Sequence, residues 1–195
     1  MLRQAKKSDI NKLAEIHFLE LHSDFLPGLG QEFLRLLYLN LLQSKNTHIW
    51  VCELDNNVQG FVVGSKNFSN DFKKIVLKNF IRFVILISPQ IIKSPNILKN
   101  ILETFLYAKK QGHDLIEAEL IVIAVSTKFH RKGIGKKLIF MLEKSFMKDN
   151  VEKYKVIVNK NNSKANLLYN SIGFKKQREF LLYGKKLNLY IKEIK

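Results

Sequence analysis

A basic, glycine-containing turn between an apolar run and an amphipathic segment most constrains the fold of this chain. The apolar run is Leu120-Ile-Val-Ile-Ala-Val125, the turn is Phe129-His-Arg-Lys-Gly-Ile-Gly-Lys-Lys137, and the amphipathic segment is 138–146. This pattern predicts a strand, a turn and a helix in succession. The first N–H groups of such a helix have no intrahelical partner and lie at the positive end of its dipole. Gly133 and Gly135 would let a ligand approach the backbone, so we expect the turn to bind a phosphate-bearing ligand.

Two nucleotide-binding motifs do not fit this turn. The phosphate loop of nucleoside triphosphatases ends in Gly-Lys-Ser/Thr because its hydroxyl binds magnesium, but Lys136 is followed here by Lys137. The dinucleotide fingerprint needs a third glycine, and Leu138 occupies that position. From the turn alone, a basic helix start without any ligand is an equal alternative.

The composition indicates a folded domain with a large positive charge. With 195 residues, 46% of them hydrophobic, the chain is predicted to form a single domain, 1–195. The formal net charge of +16 favours acidic partners such as phosphorylated cofactors, nucleic acid or anionic membrane surfaces. The lysines are spread along the chain, which argues against nucleic acid. Lys, Asn and Ile are abundant together, so the nucleotide composition of the genome is an alternative source of the charge.

Cysteine, histidine and hydropathy patterns argue against several other classes of protein. Cys52 is the only cysteine, so no intrachain disulfide can form, and a small buried side chain is predicted there. His17 and His22 have no carboxylate partner at metal spacing; they are predicted to be surface or half-buried, and no metal is expected. The apolar run 75–87 is too short and too charged to span a bilayer. The N-terminus has no apolar signal core, so a cytoplasmic location is expected.

Ahead of the central strand, the pattern predicts a strand, two helices, a hairpin and a helical segment. The predicted positions are a strand at 2–5, a helix capped by Ser8, a helix at 33–42, and hairpin strands at 47–54 and 58–64. From 65 to 114 the spacing is helical, and Ser88-Pro89 and Ser94-Pro95 each resemble a cap followed by proline at the first helical position. The apolar stripe from Phe72 to Ile87 is interpreted as core packing, with a wall over a substrate site as the alternative.

The second half predicts a parallel crossover unit and a closing hairpin. A central strand at 115–125, a helix to about Met147 and a strand at 154–158 form the crossover. A short helix capped by Ser163 is expected to stop at Gly173. The closing strands are predicted at 174–182 and 187–194.

Four blocks follow one another in a recognisable order: Glu119-Leu-Ile-Val-Ile-Ala-Val125, His130-Arg-Lys-Gly-Ile-Gly135, Asn162-Ser-Lys-Ala165 and Leu168-Tyr-Asn-Ser-Ile-Gly-Phe174. In this order they resemble the GNAT superfamily of acetyl-coenzyme A-dependent N-acetyltransferases. Residues 2–10 also resemble the first strand and helix of that family. The resemblance implies an α/β (α+β) GNAT fold, with a mixed central sheet flanked by helices. Residues 65–114, which lie outside the resemblance, would be a helical insertion between the third and fourth strands.

The resemblance names acetyl-coenzyme A as the ligand and implies its contacts. The pyrophosphate would lie on the backbone N–H groups of 131–136. The pantetheine arm would hydrogen-bond like an added strand at 123–125, where the family separates its two central parallel strands, and a backbone N–H there would polarise the thioester carbonyl. His130 replaces the usual Gln or Arg and is expected near a phosphate. The implied coenzyme-binding residues are Ile123, Ala124, Val125, Arg131, Lys132, Gly133, Ile134, Gly135, Lys136 and Asn162.

The resemblance also implies two catalytic residues. Tyr169 matches the family's usual acid, which protonates the leaving coenzyme sulfur; a core tyrosine that anchors its helix is the alternative. Glu119, five residues before Ala124, matches a base that acts directly or through water, with a solvated strand-end carboxylate as an equal alternative. Glu117 is two residues away on the predicted strand, so both carboxylates could face the cleft. Relatives that acetylate protein N-termini often carry a Glu where this chain has Ile157, which argues against such a substrate.

The predicted function is transfer of an acetyl group from acetyl-coenzyme A to a primary amine of a small molecule or glycan precursor, by direct attack in a ternary complex. Acetylation of protein or peptide amines and a non-catalytic, coenzyme A-binding module are the alternatives. The expected partner is a small-molecule amine, with no nucleic acid and no membrane span, and a homodimer is left open. The 65–114 insertion is expected to select the acceptor.

Overall fold

One mixed sheet organises residues 1–110 and 116–194, the part of the chain that this computed structural model describes. Its strands are β1 (Leu2–Gln4), β2 (Thr47–Leu54), β3 (Asn57–Ser65), β4 (Glu119–Val125), β5 (Lys153–Asn159), β6 (Lys175–Leu182) and β7 (Lys185–Glu193). The strand order across the sheet is β1-β2-β3-β4-β5-β7-β6. Neighbouring strands are antiparallel except for β4 and β5, which are parallel. The fold class implied by the sequence is therefore confirmed.

Helices cover both faces of this sheet. They are α1 (Ile10–Glu20), α2 (Gln31–Gln43), α3 (Phe68–Lys78), α4 (Phe80–Lys93), α5 (Asn96–Lys110), α6 (Ile134–Lys148) and α7 (Ser163–Ser171). The first core lies between the sheet and α1 to α4, where Leu13, Leu34 and Phe61 are fully buried. The second core lies between the opposite face and α6 and α7, around Leu138 and Tyr154. Alternation along the strands supplies both cores from one sheet.

Close packing fixes α6 on the sheet. A Cβ atom at Gly64 of β3 would lie 2.6 Å from a methyl group of Leu142, so only glycine lets the helix approach this closely. The indole N–H of Trp50 donates to Ser145 Oγ at 2.9 Å, and His48 Nε2 lies 2.7 Å from Asp149 Oδ2. These contacts to β2 and β3 hold the helix that follows the basic turn.

Helices α3 to α5 form the insertion between β3 and β4, as the sequence implied. Asp71 of α3 is buried and ties the insertion to the sheet. Its carboxylate accepts hydrogen bonds from Asn46 Nδ2 (2.9 Å), Thr47 Oγ1 (3.2 Å) and Ser65 Oγ (2.8 Å). Three donors compensate the carboxylate for its lost solvation, so this end of the insertion has a defined attachment.

The break between the insertion helices lies elsewhere than the sequence predicted. Ser88 was predicted to cap a helix, but Pro89 lies inside α4. The chain instead turns at Asn79, where the axes of α3 and α4 meet at 88°. The side-chain amide of Asn79 donates to Asn40 Oδ1 at 3.0 Å and to Ile75 O at 3.0 Å. The partner on α2 is remote in sequence, so local spacing could not reveal this break.

Three smaller predictions are also corrected. The central strand begins at Glu119, since 116–118 are not in a strand and residue 115 lies outside the described part of the chain. The cap of α7 is Asn162, whose Oδ1 accepts from the Ala165 N–H at 3.1 Å, and not Ser163. His17 is buried, with its Nδ1 2.5 Å from Tyr38 Oη, and burial lowers its pKa to about 4. Cys52 is buried, as predicted.

Candidate active site

The two parallel strands separate in the middle of the sheet. β4 and β5 are paired only at Glu119 with Lys155 and at Leu120 with Val156. On its other side β4 stays paired with β3 as far as Val125. A register shift on β4 between Leu120 and Val122 accompanies the separation. Beyond Leu120, β4 therefore has an edge without a paired strand among the described residues.

Main-chain groups of Ile123 and Val125 face this unpaired edge. The N–H of Ser126 donates to Gln59 O of β3 at 2.8 Å, and strand residues alternate in the direction of their N–H and C=O groups. Val125 and Ile123 therefore point away from β3, while Ala124 points toward it. His130 Nε2 donates to Val125 O at 2.7 Å. The sequence led us to expect His130 near a phosphate, and the structure shows its side chain bonded to the end of β4. The main-chain groups available for the predicted contacts with the pantetheine arm are therefore the N–H and C=O of Ile123 and the N–H of Val125.

The start of α6 is an uncapped helix N-terminus. Its N-cap is Gly133, in the left-handed region with φ 73°, and no side chain accepts from the first turn. Lys137 N donates to Gly133 O at 3.1 Å, so the N–H groups of 134–136 precede the first intrahelical bond. Arg131 is also left-handed, with φ 60°. The first turn has no acidic residue, so nothing there neutralises the positive end of the dipole, which suits an anion.

Gly135, Ile123 and Leu168 bring the helix start, the strand edge and α7 together. A Cβ atom at Gly135 would lie 3.6 Å from Leu168 Cδ2 and 3.8 Å from Ile123 Cδ1. An anion on the α6 N-terminus and an extended chain on the β4 edge would therefore meet at one place. Asn162 starts α7 and is exposed, but its side-chain oxygen already accepts from Ala165 N–H.

Tyr169 follows Leu168 on α7 and is 3% exposed. Its ring packs against Phe174 at 5.2 Å and Tyr190 at 6.1 Å between centroids. Among the described residues its hydroxyl has no hydrogen-bond partner, whereas buried tyrosines usually have one. Burial raises the pKa of the Tyr169 phenol above its ordinary value, so the hydroxyl is protonated at neutral pH and available as a donor.

Glu119 is half-buried at the point where the strands separate. Burial raises its carboxyl pKa to about 7, and the charge of Lys155 on β5 opposes this. A carboxyl with this pKa can take up a proton near neutral pH, as a general base must. Glu117 does not share its strand face: it lies before β4, is exposed, and accepts from Asn67 Nδ2 at 2.8 Å. The structure therefore separates the two carboxylates that sequence spacing placed together.

A polar cavity of about 460 Å³ lies on the opposite face of β5 from α7. Ile157 and Asn159 of β5 line it, while Val156 and Val158 belong to the second core. Most of its wall was not predicted from the sequence, because it joins the α1–α2 loop, the insertion and the β6–β7 turn. The wall residues that carry polar groups include Ser23, Asp24, Gln90, Lys93, Asn100 and Tyr183.

Tyr183 joins these three segments. Its ring packs on Phe25 with centroids 4.7 Å apart, and its hydroxyl lies 2.8 Å from Thr104 Oγ1 of α5. Its backbone N–H donates to Glu103 Oε2 at 2.6 Å. The charge of Glu119 also acts on the Tyr183 phenol, so the cavity and the half-buried carboxyl are neighbours. The only sequence signal here was the turn at Tyr183-Gly184, which indicates a hairpin but not a cavity.

The comparisons with known proteins agree with this geometry. Residues 110–181, which contain β4, the basic turn, α6, β5 and α7, match the family model of the acetyltransferase (GNAT) domain. No curated protein matches the sequence.

Solved structures share the fold over the whole chain at low identity. A ribosomal-protein-alanine N-acetyltransferase from Brucella melitensis superposes with a TM-score of 0.66 and 14% identity, covering 100% of this chain and 99% of that one. PaiA N-acetyltransferase from Thermoplasma acidophilum, in complex with coenzyme A, gives 0.63 and 15%, covering 100% and 98%. A structure described only as an acetyltransferase gives 0.62 and 21%, covering 100% of both chains. The family match over residues 110–181 and these likenesses together show that the chain has the GNAT acetyltransferase fold.

Proposed function

We propose that this enzyme transfers an acetyl group from acetyl-coenzyme A to a primary amine of a polar small molecule, by direct attack in a ternary complex. One observation carries the proposal. The gap between β4 and β5 has an uncapped helix N-terminus on one side of the sheet and a polar cavity on the other. Donor and acceptor could then meet through the sheet without sharing a binding surface.

The donor half of this site is built from main chain. The N–H groups of 134–136 would hold the pyrophosphate, with Arg131, Lys132 and Lys136 adding positive charge around it. The outward groups of Ile123 and Val125 would hold the pantetheine arm. Asn162 is adjacent at the start of α7, but its side-chain oxygen is used as a cap. Its amide nitrogen is the group that could contact the arm.

The chemistry needs a base and an acid on the two sides of the gap. Acetyl-coenzyme A supplies the acetyl thioester: a carbon–nitrogen bond forms and the carbon–sulfur bond breaks. Glu119 takes the proton lost by the attacking amine, directly or through water, since its pKa lies near neutrality. Tyr169 donates a proton to the leaving sulfur from its unpartnered hydroxyl. The main-chain N–H groups of the β4 edge polarise the thioester carbonyl.

The cavity supports a small acceptor. A volume of about 460 Å³ lies within the range of small-molecule sites, and the α1–α2 loop, the insertion, β5 and the β6–β7 hairpin all line it. Its wall offers one carboxylate together with amide and hydroxyl groups and the ammonium groups of Lys93 and Lys185. These groups suit a hydroxyl-rich amine such as an amino sugar better than a polycationic polyamine. Ile157 in the wall replaces the Glu expected for protein N-termini. Peptide amines remain the alternative because a fold neighbour is a ribosomal-protein-alanine N-acetyltransferase.

Incubation with acetyl-coenzyme A and a panel of amines, with release of free thiol as the readout, tests the proposal. We expect turnover with one or more polar small amines and slower turnover with N-terminal peptides. Calorimetry with coenzyme A alone provides the control for donor binding. Failure to bind coenzyme A would refute the donor assignment. Normal binding without turnover on any amine would instead favour a non-catalytic module.

A further inference from the structure

The outer side of α4 is apolar and unpacked. Its large side chains are 51–83% exposed, whereas Phe83 and Ile87 on the inner side are buried. At 100° per residue, the exposed set spans an arc of about 140° on one side of the helix. We call this set the α4 face: Phe80, Ile81, Val84, Ile85 and Ile92. Surface hydrophobics usually occur singly, so a stripe of this length indicates an interaction site.

The polar residues within this stripe do not oppose its dehydration. Ser88 lies inside the arc, and its hydroxyl donates to Ile85 O at 2.9 Å. Pro89, about 40° beyond the arc, has no N–H group. The neighbouring insertion helices add Leu77, Leu98 and Leu102, all exposed. More than half of the exposed large hydrophobics in the described chain thus lie on α3 to α5.

The charges around the α4 face have one sign. Five exposed basic side chains of α3 to α5 lie outside the cavity beside Tyr183: Lys73, Lys74, Lys78, Arg82 and Lys99. Lys93, also exposed, lines that cavity. Between Phe68 and Thr104 the acidic residues are Asp71 and Glu103. Both face inward, since Asp71 bonds to the ends of β2 and β3 and Glu103 accepts from the Tyr183 N–H. The outer surface of the insertion is therefore cationic and apolar together.

A groove beside the α4 face extends this combination. A cavity of about 480 Å³ lies between α4 and α2, with Ile85 and Leu39 in its apolar wall. Lys7, Arg35 and Arg82 lie at its edge. Arg35 pairs with the acidic Glu32, yet its Nε is buried and makes no hydrogen bond within the described residues. An acceptor oxygen entering this groove would satisfy that donor.

We propose that the α4 face docks on an anionic phospholipid bilayer, with the apolar side chains at the acyl boundary and the basic groups on lipid phosphates. Amphipathic helices with a basic polar side bind membrane surfaces in this way, by apolar burial plus attraction to anionic lipid. A second copy of the chain is disfavoured because two such faces would bring like charges together. No single described helix is long and apolar enough to cross a bilayer. Helices α3 and α4 are long and apolar enough only when taken together, and the chain bends by 88° between them. Such a bent pair suits docking on a membrane surface.

Vesicle co-sedimentation tests this proposal on the full chain. Vesicles of phosphatidylcholine alone are compared with vesicles that also contain phosphatidylglycerol. We expect binding to the anionic vesicles only, weakened by added salt. The double substitution Ile81→Ser and Ile85→Ser should lower the partition coefficient onto anionic vesicles by about tenfold, measured at equal lipid concentration. Arg82→Glu should reduce it to a similar extent, since it changes the charge by two at the surface.

Matched controls separate the α4 face from exposure in general. Leu167→Ser with Leu181→Ser removes side chains that are 69% and 68% exposed, against 73% and 63% for the test pair. Lys148→Glu is the control for charge. Both should bind like the wild type, and circular dichroism should show all variants folded. Equal binding to neutral vesicles, no binding to either kind, or equal losses in test and control variants would overturn the proposal.

Two further readouts separate the bilayer from a second copy of the chain and from a protein partner. Light scattering could instead show a dimer that the Ile81→Ser and Ile85→Ser variant no longer forms, while the wild type does not bind vesicles. The α4 face would then be an interface between copies, and the lipid proposal would be wrong. Retention of an acidic protein in place of vesicles would overturn it equally. Acetylation of a soluble amine should be unchanged in the α4 variants, so a failure of the catalytic proposal leaves this test intact.

Discussion

The proposed donor and acceptor halves of the site are built from different parts of the polypeptide. The donor half uses main-chain groups from one continuous stretch, 119–137, in which the strand edge, turn and helix N-terminus follow each other. The acceptor half uses side chains from three segments that Tyr183 brings together across the fold. Main-chain sites depend on local geometry and tolerate side-chain change. Side-chain sites can be altered one residue at a time, so substitutions in the cavity wall should change the acceptor without changing the donor.

The largest expected effect is at the boundary between the two halves. Tyr169→Phe should lower kcat by about a hundredfold or more, because it removes the proposed proton donor to the leaving sulfur. The dissociation constant of coenzyme A should not change, since the ring contacts with Phe174 and Tyr190 remain. Single-turnover kinetics and calorimetry measure the two quantities.

Tyr190→Phe is the matched control for this substitution. The Tyr190 hydroxyl donates to Asn166 Oδ1 at 2.9 Å, so its loss should lower thermal stability rather than kcat. If Tyr169→Phe lowered donor affinity and turnover equally, its role would be structural and the two halves would not meet at this hydroxyl.

Glu119→Gln should change how stability depends on pH. Burial raises the folded-state pKa to about 7 from an ordinary value near 4.5, so the folded protein favours the protonated carboxyl. This contribution is complete below about pH 4.5 and is lost as the pH rises through about 7. Relative to the Gln variant, the wild type should lose up to about 3 kcal/mol of unfolding free energy across that window. Urea unfolding at several pH values measures the difference.

The same variant tests whether Glu119 is the base. In the wild type, kcat should rise through about pH 7 as the carboxylate forms, and this rise should disappear in Glu119→Gln. A stability change without any change in the pH–rate profile would make Glu119 a buried strand-end carboxylate and leave the base unassigned.

A smaller effect should separate donor from acceptor affinity. Gly135→Leu places a side chain where Leu168 and Ile123 already lie 3.6 and 3.8 Å from a Cβ atom. We expect coenzyme A binding to weaken by about tenfold, the cost of overpacking by one to two kcal/mol. Gly135→Ala, which fits these distances, should bind nearly normally. Unchanged affinity in Gly135→Leu would contradict the assigned donor site.

The counterpart on the acceptor side is Ile157→Trp, which fills part of the cavity wall. The KM of the amine should rise several-fold while coenzyme A affinity stays the same. Leu181→Trp, at an exposed position on β6, should affect neither. If Gly135→Leu and Ile157→Trp changed the same binding constant, the separation of the site into two halves would be wrong.

The sequence predicted local features of the fold well. The β2–β3 turn at Asp55-Asn56 is left-handed at both residues, with φ 50° and 59°, as its polar turn residues indicated. The basic turn and the start of α6 follow from glycine and apolar spacing alone. Such features depend on neighbours within a few residues, which the sequence displays directly.

Features that depend on remote partners were missed. Asn79 ends α3 by bonding to Asn40, and Tyr183 closes the cavity by stacking on Phe25. Neither pairing leaves a periodic trace in the chain. The structure gives the positions of Tyr169, Glu119 and the coenzyme-binding residues. Their roles are predictions, which the substitutions above test.

Helix α4 has a consequence for regulation because it contributes to two surfaces at once. Gln90 and Lys93 line the proposed acceptor cavity, and the opposite side of the same helix is the α4 face. A Cβ atom at Gly30 would lie 3.4 Å from Gln90 Nε2, so α4 lies close to the end of the α1–α2 loop. If an occupant of the outer surface shifts α4, it changes the affinity for the amine, and the amine must change the affinity for that occupant by the same factor. Substrate supply and location in the cell would then be linked by a single helix.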